Sequence, residues 1–447
     1  MATPNVIEIR IDEDGHVDPD GERALHDVLD ETKPTDLLIF SHGWNNDAKT
    51  ARRLYDAFFG RVDSVLASHG APGRKVAYLG VFWPSILWSD EPIPDFAPGE
   101  VVDLGAGAGP AAGFGRPQVF DPPPPPDAQL QEQIRTAFPA GVSESVAELL
   151  TLIEQRPDAE AELQRARELV KIIAAAAGPT GDGERDAKPP LAALPDPGND
   201  LFEEFAAALE ELHVDTGGVG GAAGFGDGLK RLWHGAQEVL RGMTYWQMKN
   251  RAGVVGEVGL GPLIGRLRTR HEDTSISLIG HSFGARVVSY SLKGLPAPHQ
   301  VQAVTLLQGA FSHFAFADVL PMDQKRSGAL VGQQAKVVGP VTACYSKFDS
   351  AVGVMYPLAS MVKGEDAAAL VKATFRFGGM GHDGHQQGVP ELKLLPPGEG
   401  YDFNSHELVN INAERVVRNG KPPSGAHSDI IYDDLAWVVV SATGLGR

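Results

Sequence analysis

Ile276-Ser277-Leu278-Ile279-Gly280-His281-Ser282-Phe283-Gly284-Ala285-Arg286-Val287-Val288-Ser289-Tyr290 reads as a short apolar strand, a Gly-x-Ser-x-Gly turn and a helix. A serine placed this way between strand and helix is the mark of a nucleophile elbow. The turn is so tight that the serine backbone is strained, and a bulky neighbour two positions away would collide with it. Glycines at 280 and 284 relieve that crowding and leave the Ser282 hydroxyl standing above the sheet edge. The alternative is a Gly-rich turn with a solvated serine; the strand before it and the helix after it weigh against that reading.

Upstream, Asp36-Leu37-Leu38-Ile39-Phe40-Ser41 is a short apolar run between polar residues, which suits a strand buried on both faces of a parallel sheet. An amphipathic helix over 48–66 and a buried strand over 75–84 follow, and strand, helix, strand at this spacing is a βαβ unit. Between the first strand and the helix lies Ser41-His42-Gly43-Trp44-Asn45-Asn46-Asp47. Backbone N–H groups there face the space above the sheet, where preorganised donors can hold the oxyanion of a tetrahedral acyl intermediate. Trp44 and Phe283, the residue after the serine, are the two expected donors; Gly43 allows close approach, and His42 reads as a structural histidine under the loop. Residues 6–11 alternate apolar and charged, as an edge strand does, before Asp12-Glu13-Asp14-Gly15. That cluster reads as a turn, because the later ligand positions of a calcium loop are missing.

A chain of 447 residues is long for one compact domain and calls for two domains or a core with a large insertion. The composition changes after Pro84. Helical patterns at 128–137, 142–153, 158–177 and 201–212 alternate with the proline run 122–126, the linker 178–199 and a Gly-rich loop at 217–228. The proline run reads as a stiff spacer. The Gly-rich loop has neither the Lys-Ser/Thr pair nor the preceding strand of a phosphate cradle. The expected organisation is therefore a core formed by 1–88 and 237–447, interrupted by a mostly helical cap or lid over 89–236. Further buried strands are expected at 303–307, 336–346 and 374–377, and a last helix or strand at 434–441. No internal repeat is visible.

The formal charge of −19 argues against a nucleic-acid backbone or an anionic membrane surface as partner, and no uncharged apolar stretch is long enough to span a bilayer. The single cysteine, Cys344, excludes an intrachain disulfide and a cysteine-based zinc site, and its apolar run suits a small buried hydrophobe. The first residues lack the pattern of a signal peptide, so a cytoplasmic location is expected.

A serine hydroxyl needs a base within hydrogen-bond reach and a third group to orient that base. After an elbow of this kind the chain supplies the acid next and the histidine last. Asp349, just past an apolar strand-like run, fits the acid, with Asp318 and Asp383 as rivals. His427, on the loop before the last apolar element, fits the base, with His382 and His385 as competitors. His382, Asp383 and His385 could suggest a metal, but three ligands in one short loop read better as a solvated turn, and no metal is expected. His406 reads as structural and His281 as the variable residue of the elbow.

Ser41-His42-Gly43-Trp44-Asn45-Asn46, Gly280-His281-Ser282-Phe283-Gly284, Gly425-Ala426-His427-Ser428-Asp429 and the strand end Phe82-Trp83-Pro84 together resemble the α/β-hydrolase superfamily, in particular a bacterial serine esterase/lipase-like branch. The likeness covers residues 1 to about 88 and about 240 to the C-terminus. It implies an α/β-hydrolase fold with a mostly parallel central sheet, and carboxylester hydrolysis without a cofactor by Ser282, His427 and Asp349. Trp83 and Trp88 are candidates to line an apolar acyl pocket, although aromatics at strand ends more often pack the core. A small-molecule ester is the expected partner. Fold and triad do not fix the acceptor, so acyltransferase, lipase, thioesterase or amidase activity remains open, as does a non-catalytic binding protein on this fold.

Overall fold

Leu37-Leu38-Ile39-Phe40 is buried throughout, and its side chains alternate between two layers. Leu37 and Ile39 join the apolar cluster on one face of a sheet, while Leu38 and Phe40 join the cluster on the other. The computed structural model describes residues 4–86, 88, 125–176, 201–211, 225–321, 323–352, 378–404, 407–420 and 424–446. Its centre is an eight-stranded sheet: β1 (Val6–Arg10), β2 (Asp36–Ser41), β3 (Val76–Phe82), β4 (Ser275–His281), β5 (Val304–Leu307), β6 (Val341–Tyr345), β7 (Glu391–Lys393) and β8 (Leu408–Asn412). They lie in the order β1-β3-β2-β4-β5-β6-β8-β7, and every pairing is parallel. The sheet is thus parallel throughout rather than mostly so, which explains why its central strands read as unbroken apolar runs.

Helices cover both faces. α1 (Pro19–Thr32) and α9 (Phe283–Gly294) pack on one face, α2 (Ala48–His69) and α11 (Asp433–Ala442) on the other, the last two against each other, and α10 (Met380–Asp383) is a single turn. Asp47 caps α2, its carboxylate accepting the Thr50 N–H at 2.7 Å. Between β3 and β4 come α3 (Ala128–Ala137), α4 (Ser143–Gln155), α5 (Glu160–Ala176), α6 (Leu201–Glu211) and α7 (Phe225–Val254), then a π-helical turn over Val255–Leu260 and α8 (Gly261–Arg270). Buried apolar residues from each of α3 to α7 belong to the same cluster as the α1/α9 face of the sheet, so these helices share a core with it.

Several expectations need adjusting. Phe225–Gly228, read as the end of a Gly-rich loop, opens α7, which runs unbroken through residues 236 and 237. The strand expected over 336–346 forms only at Val341–Tyr345; Gln333–Lys336 is a 3₁₀ turn, and Pro340 just before the strand has no N–H to give the ladder. The segment at 434–441 is helical, within α11. The proline run at 122–124, the linker 178–199, the segment 374–377 and His406 lie outside the described residues. Cys344 is buried on β6, and burial pushes its thiol pKa well up. Among the described residues no helix is long and apolar enough to cross a membrane.

Candidate active site

β2 and β4 are neighbours in register, Ser41 opposite Gly280, so the loops that leave them start side by side at the C-terminal edge of the sheet. The chain crosses from β3 past β2 to β4 at this point, and open parallel sheets form their clefts where the strand order switches. Ser282 follows β4 with φ 56° and ψ −124°, a conformation that side-chain-bearing residues rarely adopt. Its N–H donates to Leu307 O at 3.1 Å, and its own carbonyl accepts from Ala285 and Ala310, so the turn is held from both sides. The flanking glycines are required by space. A Cβ on Gly280 would lie 2.4 Å from Gly284 O, and one on Gly284 would lie 1.9 Å from Ser41 O.

The structure brings Ser282, His427 and Asp349 together across more than 140 residues of chain. The Ser282 hydroxyl donates to His427 Nε2 at 2.8 Å, and His427 Nδ1–H donates to Asp349 Oδ2 at 2.8 Å. All three are buried, Asp349 completely. The acid and histidine loops are laced together: Ala426 N–H donates to Phe348 O, Ala351 N–H to Ser424 O, and Asp349 bridges Gly425 in antiparallel fashion. Of the rivals, Asp318 is exposed and Asp383 lies 3.3 Å from His313 Nδ1. His382 gives its Nδ1–H to the Asp349 carbonyl at 3.1 Å rather than meeting the serine. His385 is buried, neither ring nitrogen has a partner among the described residues, and burial lowers its pKa to about 3. Among the described residues no three His, Cys, Asp or Glu side chains are arranged to hold a metal ion.

Gly43 touches the serine: a Cβ there would lie 2.3 Å from Ser282 Cβ and 2.9 Å from Ser282 Oγ. The next peptide carries the Trp44 N–H. His42 fixes that peptide, because its Nδ1–H donates to Gly43 O at 2.9 Å while its Nε2 accepts from Trp83 N–H at 3.3 Å. In a trans peptide the C=O and the following N–H point opposite ways, so the bond to Gly43 O turns the Trp44 N–H away from His42. Burial lowers the His42 pKa to about 4, which keeps Nε2 an acceptor at neutral pH. Among the described residues neither the Trp44 nor the Phe283 N–H has an acceptor, and Phe283 opens α9, where first-turn amides are unpaired by construction. Two free donors therefore flank the serine.

Trp83 and Trp88 sit in the core. Trp83 stacks on His42 at 5.3 Å and donates its indole N–H to His42 O at 3.0 Å; Trp88 donates its backbone N–H to the Asn45 side chain and lies beneath the Arg241 guanidinium at 4.6 Å. Both thereby support the loop that carries Trp44. The aromatic surface beside the serine comes from elsewhere: Tyr245 of α7 packs 4.7 Å from the Phe283 ring and 5.6 Å from Trp44. Sequence reasoning missed Tyr245, since the glycines around it hid α7. It also missed His281, whose Nε2–H donates to His427 O at 2.9 Å and whose ring lies 5.1 Å from that of His427. Burial lowers the His281 pKa to about 3, with the nearby His427 adding to the effect.

No family model, curated protein or solved structure matches this chain.

Proposed function

We propose that the chain is a serine hydrolase of the α/β-hydrolase type that cleaves carboxylic esters through an acyl-enzyme. The observation that carries the reading is the unbroken relay from the Ser282 hydroxyl through His427 to the buried carboxylate of Asp349, with two steps of 2.8 Å. In this reading His427 Nε2 takes the serine proton as the oxygen attacks the ester carbonyl, and Asp349 holds the imidazole in the Nδ1–H tautomer and stabilises its charged form. The N–H groups of Trp44 and Phe283 receive the oxyanion, and a donor so placed is worth about 10²–10³ in rate. His427 then returns the proton to the leaving alkoxide, and a water activated by the same base releases the acid. Tyr245, Trp44 and Phe283 give the substrate an aromatic wall, and α7 joins that wall to the inserted helices, which serve as a cap.

Hydrolysis of p-nitrophenyl esters from acetate to palmitate by the wild type and by Ser282→Ala tests the reading. The expected result is serine-dependent turnover with a chain-length optimum. Equal rates for the two proteins would exclude Ser282 as the nucleophile.

A further inference from the structure

Gln308 follows β5 at the same sheet edge and carries two features that cost stability. Its φ is +47°, a left-handed conformation that suits glycine better than glutamine. Its side chain is wholly buried, yet among the described residues Oε1 has no partner. Only the nitrogen end is used: Nε2 lies 3.3 Å from Asp349 Oδ2 and 3.1 Å from Gly381 O. Both neighbours are acceptors, so the amide nitrogen and not its oxygen must face them. The same Oδ2 receives His427 Nδ1–H, while Oδ1 accepts Val352 N–H at 3.0 Å.

From this geometry we infer that Gln308 is a positioning residue, whose amide holds the Asp349 carboxylate aimed at His427. The inference rests on the proposed serine-hydrolase reading. A completely buried carboxylate needs hydrogen-bond donors in place of the lost water. Among the described residues Gln308 supplies the one side-chain donor besides the histidine, on the oxygen that the histidine uses. Glutamate has the same shape but would set a second carboxyl against Asp349, and leucine would fill the space without donating. Neither the backbone strain nor the orphaned Oε1 helps the fold, so the Nε2 contacts account for glutamine at this position. Among the described residues the other titratable groups packed on the pair are His281, over the His427 ring, and His382, on the Asp349 carbonyl; Asp383 lies beyond His382.

The test is the second-order rate at which a fluorophosphonate phosphonylates Ser282, followed from pH 5 to 9 in the wild type, Gln308→Gly and Gln308→Glu, with thermal melts alongside. Gln308→Gly relieves the backbone strain and deletes the donor. It should melt cooperatively and label about tenfold more slowly at neutral pH. Its acid limb should move up by roughly half a pH unit, because an undersatisfied carboxylate pulls harder on the imidazolium. Gln308→Glu keeps the volume and should lose more activity than Gln308→Gly. If the glycine variant labels within about twofold of wild type with an unmoved limb, or the glutamate variant labels normally, Gln308 only fills space and the inference fails. A wild type that does not label at all would instead remove the serine-hydrolase reading on which the inference stands.

Discussion

Gly43→Ala isolates the contact between the Trp44 loop and the nucleophile. Gly43 does not have a positive φ, so alanine is acceptable to the backbone and only space is at issue. The new methyl would lie 2.3 Å from Ser282 Cβ and 2.9 Å from His281 O. An ordinary carbon–carbon contact needs about 3.5 Å, so the loop and the serine must separate by about 1.2 Å. Neither wall yields easily: Ser282 is pinned through Leu307 and Ala310, and the loop through His42 and Trp83. A displacement of about 1 Å in a reacting constellation costs about 10²-fold, as does the loss of one oxyanion donor. The expected outcome is a fall of about 10²-fold or more in kcat/KM for a p-nitrophenyl ester, chiefly in kcat, since the donor acts on the transition state. Circular dichroism and a melting curve would show the fold retained. A variant that folds normally and keeps activity within about threefold would refute the placement of the oxyanion donors beside Gly43.

The base assignment separates three histidines: His427→Ala should be nearly as silent as Ser282→Ala, whereas His385→Leu should retain turnover, and a silent His385→Leu beside an active His427→Ala would reverse the assignment. Stability should fall with acid in a defined direction. His42, His281 and His385 are held neutral down to about 4, 3 and 3, whereas an unfolded histidine binds its proton below about pH 6.5. From about pH 6.5 down to those values the unfolded chain binds more protons, so each histidine weakens the fold as pH falls, by up to about 1.4 kcal/mol per unit. Because neither His385 ring nitrogen has a partner among the described residues, His385→Leu should raise the Tm relative to wild type at pH 5 and change it little at pH 8. An identical pH dependence for the two proteins would contradict that account.

The central strands were legible because a parallel sheet covered on both faces writes itself as short apolar runs; β2 falls on the expected residues, 36–41. Ser282 was legible because crowding at the elbow demands its glycines, and Asp349 and His427 because chain order and strand ends narrow the choice. The far edge of the sheet was not. β7 is three residues, two of them charged, and β8 carries Asn410, an uncommon strand residue that stays buried by bonding the His385 backbone at 2.7 and 2.9 Å. α7 was hidden by Gly226, Gly228, Gly235, Gly242 and Gly253, which weaken intrinsic helix propensity. One of them is explained by packing, since a Cβ on Gly235 would lie 1.8 Å from Phe202 O. The side chains of Gln308 and His281 meet the candidate triad at partners 41 and 146 positions away. No local pattern records such distances.

The most direct measurement is to react the protein with a fluorophosphonate and locate the adduct by peptide mass spectrometry. The Ser282–His427–Asp349 relay should give one stoichiometric adduct, on Ser282, formed slowly or not at all after His427→Ala. An adduct on another residue, or none on a folded wild type, would contradict it.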